Sequence, residues 1–326
     1  MIKSHPFAHI IRILGRGRSG SRSLTREEAI QAMTAVLAGE IEDIQLGAFL
    51  MLLRVKEETA EEMAGFIEAA QHHINGPALK VDIDWPSYAG KRHQHPWYFL
   101  SALLLASSGL RVFMHGSKGN SDDRLYTEEL LNTFTLQPCE NWQAAAAQLD
   151  SQYFAFMPTA AMSPRIEQLI SMKPVLGLRS PINSMARLLN PLRASMVMQG
   201  IFHPAYAEIH QQASALLGQT SSAAFKGQGG EAEIRPEANT VVTGLRRGEL
   251  ISYQWPRKFS HKIPQIQPSG DFLLSLWRGN IKDEYGEAAI NMTSATALYG
   301  CGLAESLDEA IALAQQYWND RDPLAF

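Results

Sequence analysis

The sequence predicts an α/β protein preceded by an all-helical unit, and three observations carry that reading. Residues 111–134, RVFMHGSKGNSDDRLYTEELLNTF, spell strand, polar turn and helix. Val112 and Phe113 break at His115 and Gly116, Ser117 to Asp123 are small and polar, and Leu125, Leu130, Leu131 and Phe134 then fall at helical spacing. In an open α/β sheet such a loop lies at the carboxyl end of a strand, where ligands bind. Ahead of the breaker Asn75-Gly76-Pro77 the signals are all helical, and from Leu79 onward strand and helix patterns alternate.

Taken in order, residues 9–18 begin as a short amphipathic helix with Ile10, Ile11, Ile13 and Leu14 on one face and Arg12 and Arg16 outside it. Gly15 to Gly20 match G-x-G-x-x-G, but no hydrophobic strand precedes them, so the stretch reads as a flexible, basic inter-helix loop rather than a dinucleotide site. Thr25 with Glu28, and Thr59 with Glu62, are capping boxes that open helices reaching about Leu37 and His73. Between them a helix over 44–55 buries Leu46, Phe49, Leu50 and Leu53. Strands are expected at 79–83, 111–114, 153–157, 195–201 and 222–225, with Pro86 to Pro96 a loop. Thr240 to Trp255 adds strands near a sheet edge. Helices are expected at 97–108, 163–172, 179–189, 205–217, 271–278, 284–299 and 306–318. Asp122 and Asp123 read as caps of the helix that follows them, and the methionines as core.

Composition narrows the class. Hydrophobic residues at 45% and charged residues at 19% are ordinary for a globular protein, and a net charge of -4 excludes a generic polyanion binder. The charge is uneven: Met1 to Arg26 hold six Lys or Arg and no Asp or Glu. Cys139 and Cys301 fit no disulfide framework or zinc spacing, and a reduced cytoplasm is the expected compartment. The N-terminus lacks the apolar core of a secretory signal, and no apolar run reaches the roughly 18 residues of a membrane span.

Four segments then resemble one family. Residues 24–70 resemble the N-terminal helical domain of anthranilate phosphoribosyltransferase and the related pyrimidine nucleoside phosphorylases, together the glycosyltransferase family 3 superfamily. LGLRSPINSMARLLNPL (176–192) is similar to the LG-x-R-T-x-x-N-x-x-x-P-L-x-NP pattern, GQGGEAEI (227–234) to the GG-x-DE magnesium loop, and TALYGCGLAESLDEAIALA (296–314) to the C-terminal helices. The resemblance implies a helical domain over 1–76, joined by helices from about 163–190. It also implies an α/β domain over 77–162 and 191–326 with a central, mostly parallel sheet, and a homodimer through the helical domains.

The family's chemistry transfers a phosphoribosyl group from its pyrophosphate ester, with backbone N–H groups against phosphates and magnesium on the leaving group. Its enzymes carry GTGGDG and T-x-N-x-ST after the first strand. Here Ser87 to Ser101 stand in that place, with Gly90 as the one remaining glycine, Lys91 near the acidic position, and Trp97, Tyr98 and Phe99 where small residues belong. K-H-G-N-R becomes Met114-His115-Gly116-Ser117-Lys118, and the magnesium pair becomes Ala232-Glu233, which weakens a hard-cation site. Gly90, His115, Gly116, Lys118 and Arg179 are thus residual substrate-site candidates, and Glu233 a residual metal ligand. Two of them have plainer readings: His115 holding its turn through a backbone hydrogen bond, and Arg179 anchoring helix ends.

Three eroded elements point away from transfer to anthranilate and towards a branch of the family that lost the enzyme motifs and binds nucleic acid. On that reading no residue is catalytic and no cofactor is needed. DNA or RNA would meet Arg12, Arg16, Arg18, Arg22, Lys91, Arg92, His93, Arg187 and Arg193 without sequence reading. Arg16, Arg18 and the run Lys91-Arg92-His93 stand out because glycine and loop context leave them exposed. Lys3, Arg26, His95, Arg179, Arg246, Arg247, Arg257, Lys258 and Lys262 complete the cationic set, and loops at strand ends bring several into one cleft. The alternative is an active glycosyl or phosphoribosyl transferase that uses phosphoribosyl pyrophosphate and magnesium with another acceptor.

Overall fold

Local chemistry places the first four helices. The computed structural model describes residues 4–17, 19–119, 121–261 and 263–326. Helices α1 (Ala8–Gly15), α2 (Arg26–Ala38), α3 (Asp43–Lys56) and α4 (Ala60–Ile74) form the N-terminal bundle. Thr25 and Thr59 close full capping boxes with Glu28 and Glu62, and α2 stops where Gly39 turns left-handed. Glu62 does more than cap. Its fully buried carboxylate takes Lys56 Nζ at 2.7 Å and the Leu24 amide at 2.8 Å, which ties the starts of α2 and α4 to the end of α3.

Seven strands follow: β1 (Ile83–Ser87), β2 (Val112–Gly116), β3 (Phe154–Pro158), β4 (Met196–Ile201), β5 (Ser221–Lys226), β6 (Thr240–Arg246) and β7 (Glu249–Trp255). Their order across the sheet is β3-β2-β1-β4-β5-β6-β7, parallel from β3 to β5 and antiparallel for the last two. The sheet therefore grows one way from β1 to β3 and the other way from β4, and β1/β4 is a topological switch point, the place where open α/β sheets bind ligands.

The period-two pattern sorts the core. Val112 and Met114 of β2, with Phe154 and Phe156 of β3, face one hydrophobic cluster, centred on helix α5 (Trp97–Ser107) and the helix Glu284–Gly300. Phe113, Ala155 and Met157 face the other, which the N-terminal bundle shares with Ile166, Leu169, Ile182, Met185 and Leu188. A helical bundle packed on a larger, mostly parallel α/β unit is thus the architecture.

Several elements differ from their expectation. The strand expected at 79–83 begins at Ile83 and runs through Pro86. Leu79 and Val81 form an extended approach, and the Asp82 and Ile83 amides both donate to Arg111 O. Pro86 brings no N–H to either ladder. Pairing with β4 ceases after Asp84, whereas pairing with β2 continues to Ser87, so β1 and β4 part at their carboxyl ends. The span 179–189 is not one helix but Ile182–Met185 followed by a 3-10 turn over Ala186–Leu188, which leaves Arg179 in a loop. The helix Trp142–Gln152, capped by Asn141 accepting from Ala144 N, was unforeseen. Asp122 and Asp123 cap nothing: the helix Thr127–Leu131 starts on a reciprocal bond between Tyr126 and Glu129. Among the described residues, no helix is long and apolar enough to cross a membrane.

Candidate functional site

The loops at the carboxyl ends of β1, β2 and β4 meet at the switch point, and they divide into a closed corner and an open cleft. The closed corner is the segment after β1. Gly90 sits at φ +62°, where a Cβ would come within 2.8 Å of the Tyr126 ring, so only glycine fits. The Ala89 and Gly90 amides both donate to Glu231 Oε1 at 2.6 Å. Lys91 pairs its backbone with Leu125 and sends Nζ to Glu233 Oε1 at 2.5 Å, with both side chains 1% exposed. Glu233 Oε2 accepts the Tyr98 amide at 2.9 Å, at the start of α5. Burial pushes the Glu233 carboxyl up, and the Lys91 ammonium beside it pulls it back. Arg124 closes the rim by donating to Ala89 O and Gly90 O at 2.9 and 3.1 Å.

Two expectations fall here. Loop context does not expose Lys91: it is a buried counter-ion and cannot touch a polymer. Glu233 is not free for a metal. Ala232 supplies no second carboxylate, both Glu233 oxygens already accept hydrogen bonds, and Lys91 supplies the positive charge. The magnesium that the resemblance implies does not fit this corner. Among the described residues, no group of three or more His, Cys, Asp or Glu is placed to hold a metal ion.

His115 and Gly116 form the wall between corner and cleft. His115 is buried, with Nε2 3.1 Å from Asp84 Oδ1 and Nδ1 2.8 Å from the Tyr88 hydroxyl. It is held by side chains, not by the backbone bond expected. Burial pushes the Tyr88 phenol far up, so the hydroxyl keeps its proton. A Cβ on Gly116 would lie 1.8 Å from Ser87 O, so this glycine holds β1 and β2 in register whatever the loop binds.

The open cleft runs alongside. Arg92, Lys118, Arg124, Lys173 and Arg179 line a hollow of about 550 Å³ with Tyr88, Tyr126 and Asn183. Arg92 is tied to Asp123 at 2.5 Å and Lys118 to Glu129 at 3.0 Å, whereas Lys173 and Arg179 make no such pair among the described residues. Arg179 and Asn183 also line a smaller chamber with Arg54, Ser180, Arg187, Phe202, His203, Tyr206 and His210. Arg187 is 8% exposed, with Nη1 donating to Gly200 O and Gly230 O at 2.7 and 2.6 Å and Nε to Asn183 O at 3.3 Å. Burial lowers it to about 10, so it stays charged at neutral pH as a strut between β4 and the 227–230 turn. The expectation that Arg187 meets nucleic acid is corrected on that ground.

The remaining cations do not converge on the cleft. Arg193 is exposed at φ +55° and borders a hollow beside Ala194 and Ser195, before β4 and so at the opposite end of the sheet. Arg246 and Arg247 pair with Glu305 at that same end. Arg22 is held by Glu28 at 2.6 Å, Arg26 by Glu68 at 2.9 Å, and Arg12 and Arg16 are exposed on and just after α1. His93 is half-buried. His95 is buried, stacks on Phe272 at 4.2 Å and is lowered to about 4 by that burial, so it is neutral and structural. Arg18, Lys3 and Lys262 lie outside the described residues. Sequence reasoning missed Glu231, Arg54, Arg124 and Lys173. Of these only Glu231 carried a signal, as the extra carboxylate in GGEAE.

Residues 8–74 match the helical bundle domain of the glycosyl transferase family, and residues 99–320 match its a/b domain. The chain belongs to this glycosyl transferase family. An uncharacterised Escherichia coli K12 protein, YbiB, is 34% identical over 206 residues, which are 61% of this chain and 64% of that one. Anthranilate phosphoribosyltransferase of Geobacillus kaustophilus is 25% identical over 90% of both chains. Among solved structures, the Saccharomyces cerevisiae anthranilate phosphoribosyltransferase in complex with PRPP and Mg superposes with a TM-score of 0.79, at 16% identity, over 99% of this chain and 95% of that one. The glycosyl transferase family fold is therefore intact, while the corner after β1 is closed by the chain's own side chains.

Proposed function

We propose that this glycosyl transferase family chain is catalytically degenerate and binds DNA or RNA without reading sequence, through the cleft at the β1/β4 switch point. The observation that carries this is Glu231 Oε1 on the Ala89 and Gly90 amides at 2.6 Å. By the resemblance those amides are the ones that would meet a pyrophosphate, and here a carboxylate of the same protein already takes them. The Lys91–Glu233 pair fills the neighbouring metal position with an internal cation. Adjacent to this neutralised corner, Lys173 and Arg179 face the cleft without carboxylate partners among the described residues, which is the charge arrangement a phosphate backbone answers. In the proposed assembly two copies join through their helical bundles and present two such clefts. Arg92 and Lys118 extend the contact in the cleft where their pairs with Asp123 and Glu129 yield, and a longer strand reaches His93, Arg12 and Arg16 outside it.

The test is titration of labelled single- and double-stranded oligonucleotides across a salt series. Binding that falls steeply with salt is expected, and no binding at low salt removes the proposal. A second reading, transfer to another acceptor, has in its favour Arg179 in the cleft beside the ordered Asp84–His115–Tyr88 wall. Calorimetry with phosphoribosyl pyrophosphate and magnesium separates the two: no heat is expected, and micromolar binding would favour the transferase.

A further inference from the structure

We propose that the small chamber beside the cleft receives one unpaired base, stacked on Phe202 with the adjoining phosphate on Arg179, so that single strands are preferred over duplex. This rests on the reading of the cleft as a polyanion site. Phe202 directly follows β4 at the switch point and is 52% exposed, with its ring 4.8 Å from that of His203. A large aromatic held open at the ligand-binding end of a sheet offers a stacking face, and every base has a π-face to match it.

The chamber also offers what a base edge needs. Ser180 is 5% exposed and its hydroxyl has no hydrogen-bond partner, and the buried Oδ1 of Asn183 has none either. A hydroxyl that donates and an amide oxygen that accepts suit a base edge, which carries both acceptors and donors. Buried polar atoms left without partners are completed by what enters beside them, a water or a ligand. Arg54 and Arg179 line the same chamber as Phe202 and offer the adjoining backbone its counter-charge. The volume, about 110 Å³, suits one ring system and not a helix two strands wide. Bases inside a duplex keep their faces in the stack, so only a single strand can splay one into this space.

The experiment compares the wild-type chain with Phe202→Ala and Phe202→Trp, by fluorescence anisotropy on a mixed-sequence oligonucleotide, single-stranded and as a duplex of equal length. Phe202→Ala should weaken single-strand binding roughly tenfold, the scale of one lost base–aromatic stack, and change duplex binding by less than about twofold. Phe202→Trp should restore it. Equal losses on both forms, or none on either, overturn the stacking inference while leaving the polyanion reading in place. An altered molecular mass of Phe202→Ala in light scattering also overturns it, because the ring would then be packing a second copy. If neither form binds the wild-type chain at low salt, both readings fail together.

Discussion

The corner after β1 and the cleft beside it lie at the same end of the same sheet, and they treat charge in opposite ways. In the corner, Lys91 meets Glu233, and the Ala89 and Gly90 amides meet Glu231. In the cleft, Arg92 and Lys118 keep exposed carboxylate partners, and Lys173 and Arg179 meet none among the described residues. Burial explains the difference. A charge shut away from water must be paired where it stands, whereas one facing an open hollow can leave pairing to whatever enters. A loop rich in cations by sequence is therefore no guide to where a polyanion binds until its partners are known.

The comparison breaks most severely at Lys91. Lys91→Met strands Glu233 as an uncompensated buried charge and should lower the unfolding free energy by about 3–5 kcal/mol, read in urea. Adding Glu233→Leu should return most of it. A loss under about 1 kcal/mol would mean that the corner is solvated after all.

Acid sharpens the contrast next, through one buried histidine on each side. Burial lowers His95, in the corner, to about 4, and His210, on the chamber wall, to about 3, from 6.5. The unfolded chain takes up these protons as pH falls below 6.5, and the folded chain does so only near its lowered values. Stability should therefore drop as pH falls through that window, by up to about 1.4 kcal/mol per pH unit for each histidine. His210→Gln should lower the slope by up to about 1.4 kcal/mol per pH unit in urea unfolding measured across the window; an unchanged slope would put the proton uptake elsewhere.

Smaller effects separate the cleft from the rest of the surface. Arg179→Ala and Lys173→Ala should each weaken nucleic acid binding and flatten the plot of log affinity against log salt by about 0.7–0.9. Arg193→Ala, at the far end of the sheet, should leave both quantities unchanged. A fall at Arg193 equal to that at Arg179 would mean that the polymer wraps the molecule rather than entering the cleft.

What the sequence revealed follows the distance over which each feature is determined. The helix starts at Thr25 and Thr59 depend on residues three positions away and were legible. The helix Trp142–Gln152 was not, because its stripe of Trp142, Ala145 and Leu149 is diluted by a run of alanines and only the Asn141 cap marked it clearly. Pro86 misled because a proline inside β1 is tolerable only where the neighbouring ladder ends, which is a fact about β4. Lys91 looked exposed because its partner stands 142 positions further along. Arg187 looked accessible because the carbonyls it holds, Gly200 and Gly230, reach it only in the folded chain. Arg179 was placed by resemblance, but its companions Arg54, Arg124 and Lys173 come together only through the packing of the bundle on the sheet.

The pair at position 91 also limits which residues its neighbours can be. Lys91→Asp would put a third carboxyl beside Glu231 and Glu233 in a space closed to water, with no ammonium left among them. An acidic residue at 91 is therefore compatible with the fold only if its partners change with it. The ion pair ties the identities of distant positions together: neither Lys91 nor Glu233 can lose its charge alone without stranding the other.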